Sequence, residues 1–190
     1  MPLPPFPVIR TARLVIRAVA EPDLADLLEV NGDDEVTRFL PYATWRGPDD
    51  AAAWLARMEA LCATGTARQL VIERQPDRKV IGTVLLFQFD EPSARAEVGY
   101  VLGRAHWRRG YATEALRTVC RHAFEDMGIR RMEAEARPDN VASNELLLSL
   151  GFSHEGRLRQ RWTAKDETYD TNIYGCLIDD WLECNPRAPT

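Results

Sequence analysis

Several features that would assign the chain to a specialised class are missing from its sequence. Basic residues number 24 against 29 acidic ones, so the net charge is −5 rather than the basic excess of a nucleic-acid-binding protein. No apolar run approaches the ~18 residues that a membrane span needs. The Pro-rich start, Met1 to Pro7, has neither the basic nor the apolar segment of a secretory signal. We therefore predict a cytoplasmic protein without nucleic-acid or membrane partners.

Patterns typical of disulfide frameworks and metal sites are missing as well. The cysteines, which form no C-x-x-C pair, are Cys62, Cys120, Cys176 and Cys184. Scattered cysteines without a secretory signal are typical of reduced, mostly buried thiols. The three histidines lack the spacing of convergent metal ligands; they are His106, His122 and His154. The sequence therefore predicts no bound metal.

The composition that remains is that of one globular domain. A chain of 190 residues with 45% hydrophobic content can bury a single sizeable core. The Pro-rich residues 1–7 are predicted to form an extended arm. Residues 8–185 form the predicted domain, and residues 186–190 a tail.

Hydrophobic periodicity predicts strands and helices in alternation. In the first half it predicts a strand at 13–18, helices at 23–31 and from Pro48 to Cys62, and strands at 69–73, 80–87 and 96–102. In the second half it predicts a helix at 110–127, a strand at 132–137, a helix at 141–150, and strands near 157–162 and 168–177. This order predicts an α/β (α+β) domain with a mixed sheet flanked by helices.

The segment from Arg104 to Glu114 joins a predicted strand to the strongest predicted helix. A turn at this place points free backbone N–H groups outward at the positive end of the helix dipole, which suits a pyrophosphate. Gly110 allows close approach of the main chain, and Arg108 and Arg109 add positive charge. A single-glycine junction is also common without any ligand, so the loop alone leaves both interpretations open.

Further motifs accompany this loop in a fixed order. They are Arg13-Leu-Val-Ile-Arg17, Glu97-Val-Gly-Tyr100, Trp107-Arg-Arg-Gly-Tyr-Ala-Thr-Glu-Ala115, Asp139-Asn-Val-Ala-Ser-Asn144, Leu150-Gly-Phe152, Glu155-Gly-Arg-Leu158 and Tyr169-Asp170. Over residues 10 to 178 the chain thus resembles the GNAT superfamily of N-acetyltransferases, and within it the RimJ/RimL type that acetylates ribosomal-protein N-termini. The resemblance implies the GNAT fold, whose mixed and mostly antiparallel sheet has about six to seven strands, and acetyl-CoA as the donor.

The resemblance also implies which residues bind the donor. The family's pyrophosphate segment, Q/R-x-x-G-x-G/A, corresponds to Arg108, Arg109, Gly110, Tyr111, Ala112 and Thr113. Arg108 replaces a frequent glycine, which leaves the local backbone conformation open. The strand that pairs with the pantetheine arm corresponds to Tyr100, Val101 and Leu102, whose amides would also polarise the acetyl carbonyl. Asn140 matches the asparagine that bonds the pantetheine.

Two residues match catalytic positions of the family. Glu97 lies on the strand that meets the acetyl group, and a carboxylate there can take the amine proton through water. Ser143 matches a serine proposed to protonate the departing thiolate, while the family's frequent tyrosine acid is replaced here by Leu147. A glutamate that acts as base in some relatives aligns with Trp162. Glu97 is otherwise an ordinary strand residue, and Ser143 a first-turn helix residue.

The sequence is compatible with several classes of amine acceptor. Tyr42 and Trp45 precede the second long helix, which borders the acceptor cleft in this family, and are predicted to line that cleft, whereas Trp54 is predicted to be buried. An α-amino group has a pKa of ~7.7–8.0 against ~10.4 for lysine, which favours a protein or peptide N-terminus. The alternatives are a small amine (an aminoglycoside, polyamine or amino-acid derivative) or a non-catalytic acetyl-CoA sensor. Monomer and homodimer are both compatible with the sequence.

Overall fold

One eight-stranded sheet organises residues 6–186, the part of the chain that the computed structural model describes. The strands are β1 (Ile9–Arg10), β2 (Leu14–Ala18), β3 (Ala67–Arg74), β4 (Val80–Asp90), β5 (Arg95–Leu102), β6 (Arg131–Ala136), β7 (Ser153–Ala164) and β8 (Glu167–Leu177). Their spatial order is β1-β2-β3-β4-β5-β6-β8-β7. Only the β5–β6 pair is parallel among these strands. The predicted fold, a mixed and mostly antiparallel sheet, is confirmed, with more strands than expected.

Six α-helices flank this sheet within the described residues. They are α1 (Leu24–Asn31), α2 (Asp34–Thr37), α3 (Pro48–Ala63), α4 (Tyr111–Glu125), α5 (Val141–Ser149) and α6 (Ile178–Cys184). Short 3-10 turns at Glu21–Asp23 and Arg104–His106 precede α1 and the loop before α4. Pro48 opens α3, where its missing N–H is no loss.

The two faces of the sheet bury different clusters. The larger core joins the sheet to α4, α5 and α6; examples are Val98, Met132, Leu116, Leu147 and Trp181. The smaller core lies under α1 and α3 on the opposite face and contains Leu27, Trp45, Trp54, Val71 and Val80. Side chains alternate between the faces of a strand. Ala96 and Val98 therefore face the larger core, and Glu97 faces the other side.

The structure departs from the predicted elements mainly where a segment is short or lacks a single buried face. The two-residue β1, the four-residue α2 and the C-terminal α6 were not predicted. Strand β7 runs over Ser153–Ala164, longer than the predicted 157–162, because it is exposed over most of its length and has no alternating pattern to mark it. Of the predicted arm and tail, residues 1–5 and 187–190 lie outside the described part of the chain.

The scattered cysteines and histidines have local roles. All four cysteines are free; Cys120 and Cys176 are buried, and Cys184 is exposed. His122 lies 2.7 Å from a carboxylate oxygen of Asp126. No three Asp, Glu, His or Cys residues come together as a metal-binding group in residues 6–186. None of the helices in that range is long and apolar enough to cross a membrane.

Candidate active site

Strands β5 and β6 diverge and leave a gap in the sheet. Their parallel pairing is confined to residues 95–97 of β5 and 131–133 of β6. Beyond this point β5 continues to Leu102 paired with β4, while β6 continues to Ala136 paired with β8. One side of the β5 backbone therefore faces the gap instead of a neighbouring strand. Backbone N–H and C=O groups in such a position can pair with an extended, amide-containing ligand.

The residues predicted to meet the pantetheine lie along this diverging half of β5. Tyr100 and Val101 pair on their other side with Val84 and Thr83 of β4. The Leu102 carbonyl already accepts a hydrogen bond from the Trp107 indole N–H at 2.7 Å. Trp107, the first residue of the loop motif, thereby ties the loop to the end of β5.

The loop before α4 has left-handed backbone at two positions. Gly110, the N-cap residue of α4, has φ 76° and ψ 5°, a conformation that glycine adopts freely. Arg108 has φ 57°, so the backbone is left-handed here even without the family's frequent glycine. For a non-glycine residue this conformation costs about 1–2 kcal/mol. The loop therefore takes the left-handed turn without a glycine at residue 108 and gains a positive charge there.

The start of α4 is suited to an anion. Tyr111, Ala112 and Thr113 form its first turn, whose backbone N–H groups have no acceptor earlier in the helix. These N–H groups and the helix dipole favour a phosphate at this end. Arg108 and Arg109 are exposed beside it. All six loop residues predicted to bind the donor's pyrophosphate therefore lie together in the structure.

Arg13 fixes this loop to the sheet, a role that the sequence did not reveal. Its guanidinium donates to the Arg109 carbonyl at 2.9 Å and pairs with Glu114 at 2.6 Å. It also lies over the Tyr111 ring, 4.6 Å from the ring centroid. Glu114 accepts a further hydrogen bond from the Thr11 hydroxyl at 2.5 Å. The Arg13 motif was noted only as part of the resemblance, because nothing local to it indicates a partner about a hundred residues away.

Asn140 begins α5 and acts as its N-cap. Its side-chain oxygen accepts a hydrogen bond from the Ser143 backbone N–H at 3.3 Å. The structural role that the sequence allowed for Asn140 is therefore present, and its bond to pantetheine stays a prediction. Asn144, one residue beyond Ser143, accepts hydrogen bonds from Asn172 at 3.0 Å and from the Tyr174 hydroxyl at 2.6 Å. These contacts fix α5 relative to β8.

The Ser143 hydroxyl lies 2.7 Å from the Tyr100 hydroxyl. Tyr100 projects from β5 on the helix side, so the contact spans the gap between β5 and the helix that follows β6. Burial raises the pKa of Tyr100 to about 12, which keeps the phenol protonated. Leu147, at the position of the family's tyrosine acid, is fully buried in the larger core. The only phenol bonded to Ser143 in the described residues thus comes from the strand.

Glu97 lies at the last residue pair that β5 and β6 share, on the face opposite α4 and α5. Its carboxylate accepts a hydrogen bond from the Gln88 amide at 2.8 Å. Gln88 has φ 51° in an irregular stretch of β4, and such irregularities redirect side chains near functional sites. Burial, and secondarily the negative charges of Glu135 and Glu133, raise the pKa of Glu97 to about 7. Glu97 lines a cleft of about 420 Å³.

The other carboxylates of this cleft are paired with cations or an indole. Glu133 pairs with Arg95 and Arg131, and Glu155 pairs with Arg131 at 2.6 Å. Glu135 accepts a hydrogen bond from the Trp162 indole at 2.6 Å. Trp162 aligns with a glutamate of some relatives. Through its indole hydrogen bond, the carboxylate of Glu135 lies next to this position instead. The alternation Glu133-Ala-Glu135 could have indicated that both carboxylates share one face of a strand. Only the strand register shows that this face adjoins Glu97.

The two residues predicted to line the acceptor cleft differ in exposure. Trp45 is 6% exposed and packs against Trp54, with ring centroids 5.4 Å apart. Trp45 therefore belongs to the smaller core. Trp54 lies in the same core, in agreement with its predicted burial. Tyr42 is half-buried, and its hydroxyl donates to the Asn31 side chain at 2.9 Å. Contact of either residue with an acceptor stays a prediction, and only Tyr42 keeps appreciable exposed surface for it.

A larger groove lies on the other side of the loop that precedes α4. It measures about 740 Å³ and runs between residues 9–13 and α4. Gly110, Thr113 and Glu114 border it, whereas Glu97 and Ser143 do not. The groove therefore adjoins the predicted pyrophosphate site rather than the groups suited to acyl transfer.

Comparisons with known proteins agree with this geometry. The model of a family described as "Acetyltransferase (GNAT) domain" matches residues 13–153. The chain is 34% identical over 172 residues to an uncharacterized N-acetyltransferase, YoaA of Bacillus subtilis, covering 90% of this chain and 97% of that protein. It is 30% identical over 115 residues to the ribosomal-protein-serine acetyltransferase of Escherichia coli, covering 60% and 63% of the two chains. The structure of Mycobacterium smegmatis RimJ in complex with CoA-disulfide superposes with a TM-score of 0.81 at 21% identity, covering 92% and 85%.

Proposed function

Because the chain belongs to the GNAT family of acetyltransferases and is an acetyl-CoA-dependent N-acetyltransferase, we propose that its acceptor is the α-amino group of a protein or peptide. The observation that carries the proposal is Glu97, a half-buried carboxylate where β5 parts from β6, with a pKa of about 7. A group with this pKa is half ionised at neutral pH and can both accept and release a proton.

The gap and the loop account for donor binding in this proposal. The loop from Arg108 to Thr113 holds the pyrophosphate at the start of α4. The pantetheine lies against the diverging part of β5, and its amides pair with the free side of that backbone. The thioester then lies in the gap, between the face that carries Glu97 and the face that carries Ser143.

The chemistry follows from these positions. Glu97 removes a proton from the acceptor ammonium, directly or through one water, and the free amine attacks the thioester carbonyl. Backbone N–H groups of β5 stabilise the oxyanion of the tetrahedral intermediate. When the carbon–sulfur bond breaks, its electron pair goes to sulfur, and Ser143 donates a hydrogen bond to the developing thiolate.

The basicity of the acceptor favours an α-amine over a lysine side chain, because Glu97 is the same base for both. Proton transfer from an α-ammonium group of pKa ~7.8 to a carboxylate of pKa about 7 costs about 1 kcal/mol. The same transfer from lysine, with a pKa of ~10.4, costs between about 4 and 5 kcal/mol. The difference corresponds to a preference of two to three orders of magnitude, about 10²–10³, when both amines fit the cleft equally well.

Acetyl transfer to three matched acceptors tests this proposal. The first is a peptide with a free amino-terminal serine and one internal lysine, the second is the same peptide with its amino terminus blocked, and the third is spermidine. We expect the highest kcat/KM for the first peptide, with the acetyl group on its α-nitrogen by tandem mass spectrometry. Equal rates on the free and blocked peptides would refute an α-amine acceptor.

A small cationic amine is the second candidate, and the charges of the cleft favour it. Four carboxylates line the cleft, from Glu97, Glu133, Glu135 and Glu155, against the arginines Arg95 and Arg161. A polyamine would place one amine at Glu97, and its second cation would compete with Arg95, Arg131 and Arg161 for the paired carboxylates of Glu133, Glu135 and Glu155. Spermidine turnover that exceeds peptide turnover in the same assay would establish this alternative.

A further inference from the structure

Tyr100 was predicted to bind the donor through its backbone. The contact between its hydroxyl and that of Ser143 indicates a second function for its side chain. We propose that the Tyr100 phenol donates a hydrogen bond to Ser143 Oγ and so directs the Ser143 hydroxyl proton at the sulfur atom of the donor thioester. Tyr100 is then a positioning residue that acts through Ser143. The inference rests on the proposed role of Ser143 at the thiolate, and it is independent of which amine is the acceptor.

The geometry fixes Ser143 from two sides. Its backbone N–H donates to the Asn140 side chain, which holds the first turn of α5. Its hydroxyl meets the Tyr100 hydroxyl at 2.7 Å, and the Ser143 carbonyl lies farther from that phenol, at 3.5 Å. A hydroxyl group has one proton to donate and two lone pairs to accept with. If the phenol donates its proton to Ser143 Oγ, the Ser143 hydroxyl proton is not used in a hydrogen bond to Tyr100. It is then free to be donated to another acceptor.

The place of the pair explains where that proton points. Tyr100 lies on the part of β5 that has left β6, and Ser143 lies on the helix that follows β6. The two hydroxyls therefore join β5 to the helix that follows β6. A thioester whose pantetheine runs along β5 brings its sulfur into this gap, next to Ser143 Oγ.

The electron and proton balance requires no additional reactant. An ammonium acceptor loses two protons on its way to the amide. The first passes through Glu97 to solvent before the attack, and the second goes to the Glu97 carboxylate as the carbon–sulfur bond breaks and sulfur takes its electron pair. Ser143 and Tyr100 keep their protons and contribute hydrogen bonds to the negative charge. Hydrogen bonds to charged groups are stronger than those between neutral ones, so their effect appears as the thiolate forms.

The acid strength of the coenzyme A thiol in its complex with the protein measures this effect without any acceptor. Thiolate formation is followed by ultraviolet absorbance as a function of pH, with the desulfo-CoA complex as the blank. Ser143→Ala should weaken the acid dissociation of the bound thiol about tenfold, and Tyr100→Phe about threefold or more, because each loses a hydrogen bond that favours the charged form. The double variant should lose no more than Ser143→Ala alone, since Tyr100 acts through Ser143.

Tyr174→Phe is the matched control. Its phenol lies on the same side of the sheet and donates to Asn144, the neighbour of Ser143. This variant should lower the melting temperature and leave the bound thiol unchanged. Coenzyme A affinity, measured by titration calorimetry at a pH where the thiol is protonated, should stay within about twofold in Tyr100→Phe, since only the charged form uses the hydroxyl pair.

Three outcomes overturn the inference and separate it from the proposed function. An effect of Ser143→Ala without one of Tyr100→Phe would leave Ser143 at the thiolate and remove Tyr100. Effects that multiply in the double variant would make the two hydroxyls independent. No effect of either variant would remove both from the sulfur, while Glu97 and the α-amine acceptor would still be judged by the peptide assay.

Discussion

Replacing Glu97 with glutamine should make the protein more stable at neutral and alkaline pH. Glutamine has nearly the same shape and still accepts a hydrogen bond from the Gln88 amide, but it carries no charge to bury beside Glu133 and Glu135. A carboxylate whose pKa rises in the folded state destabilises that state whenever it is ionised. The destabilisation is absent below the unfolded pKa, near 4.5, and grows as the pH rises to about 7.

The size of the effect follows from the same pKa. A rise from 4.5 to about 7 corresponds to about 3 kcal/mol of unfolding free energy once the pH exceeds both values. Residual solvent at this half-buried site lowers the expected gain to about 1–3 kcal/mol at pH 8. At pH 4, where the carboxyl is mostly protonated in both states, Glu97→Gln and the wild type should unfold at nearly the same denaturant concentration.

Urea unfolding at pH 4, 6 and 8 is the assay, with Glu155→Gln as the control. Glu155 lies in the same cleft, but its hydrogen bonds to Arg131 lower its pKa. That carboxylate is therefore stabilising when ionised, and its removal should lower stability at pH 8. A Glu97→Gln variant that loses stability at pH 8 would refute the conclusion that the ionised Glu97 carboxylate destabilises the folded state.

Three further predictions concern the donor site and its support. Acetyl-CoA should raise the melting temperature in a thermal-shift assay, and Gly110→Asp should abolish this rise because its carboxylate meets the phosphates. Gly110→Asn tolerates φ 76° as well as aspartate does and should keep part of the rise. An equal rise in the two variants would place the phosphate site elsewhere. Arg13→Met should weaken acetyl-CoA binding several-fold in calorimetry, since the Arg109 carbonyl loses its donor; an unchanged Kd would make this contact irrelevant to the loop. Asn144→Ala should lower the unfolding free energy by about 2–4 kcal/mol in urea titrations, because it leaves the Tyr174 hydroxyl and the Asn172 amide without their acceptor. A loss below about 1 kcal/mol would contradict the role of Asn144 in holding α5.

Long elements with one buried face were predictable from the sequence. Helix α4 repeats its apolar residues at helical spacing, and Pro48 marks the start of α3, so both were placed within about two residues. Strand β1 is too short to show a period. Strand β7 is exposed on both faces, so it lacks the alternation that marks a half-buried strand. The sheet order, with β8 between β6 and β7, depends on long-range pairing that no local pattern encodes.

The candidate site divides in the same way. Gly110 and Glu97 could be proposed as site residues from the sequence, because each belongs to a contiguous motif whose chemistry is local. Gln88, Glu135 and the Tyr100 hydroxyl were not found, because each reaches its partner through strand register or across the gap between β5 and β6. Trp45 shows a different limit of local patterns. An aromatic residue in a loop near the cleft was predicted to meet the acceptor, whereas its burial against Trp54 gives it a place in the core.

The most direct test of the account is the rate of acetyl transfer to the free amino-terminal peptide, measured against pH for the wild type and Glu97→Gln. The wild-type kcat/KM should rise through an apparent pKa near 7 as Glu97 ionises. Glu97→Gln should be slower by about 10²-fold at pH 7, the usual contribution of a general base, and the deficit should shrink above pH 8, where the amine is already neutral. A variant that folds and turns over at the wild-type rate at pH 7 would contradict Glu97 as the base.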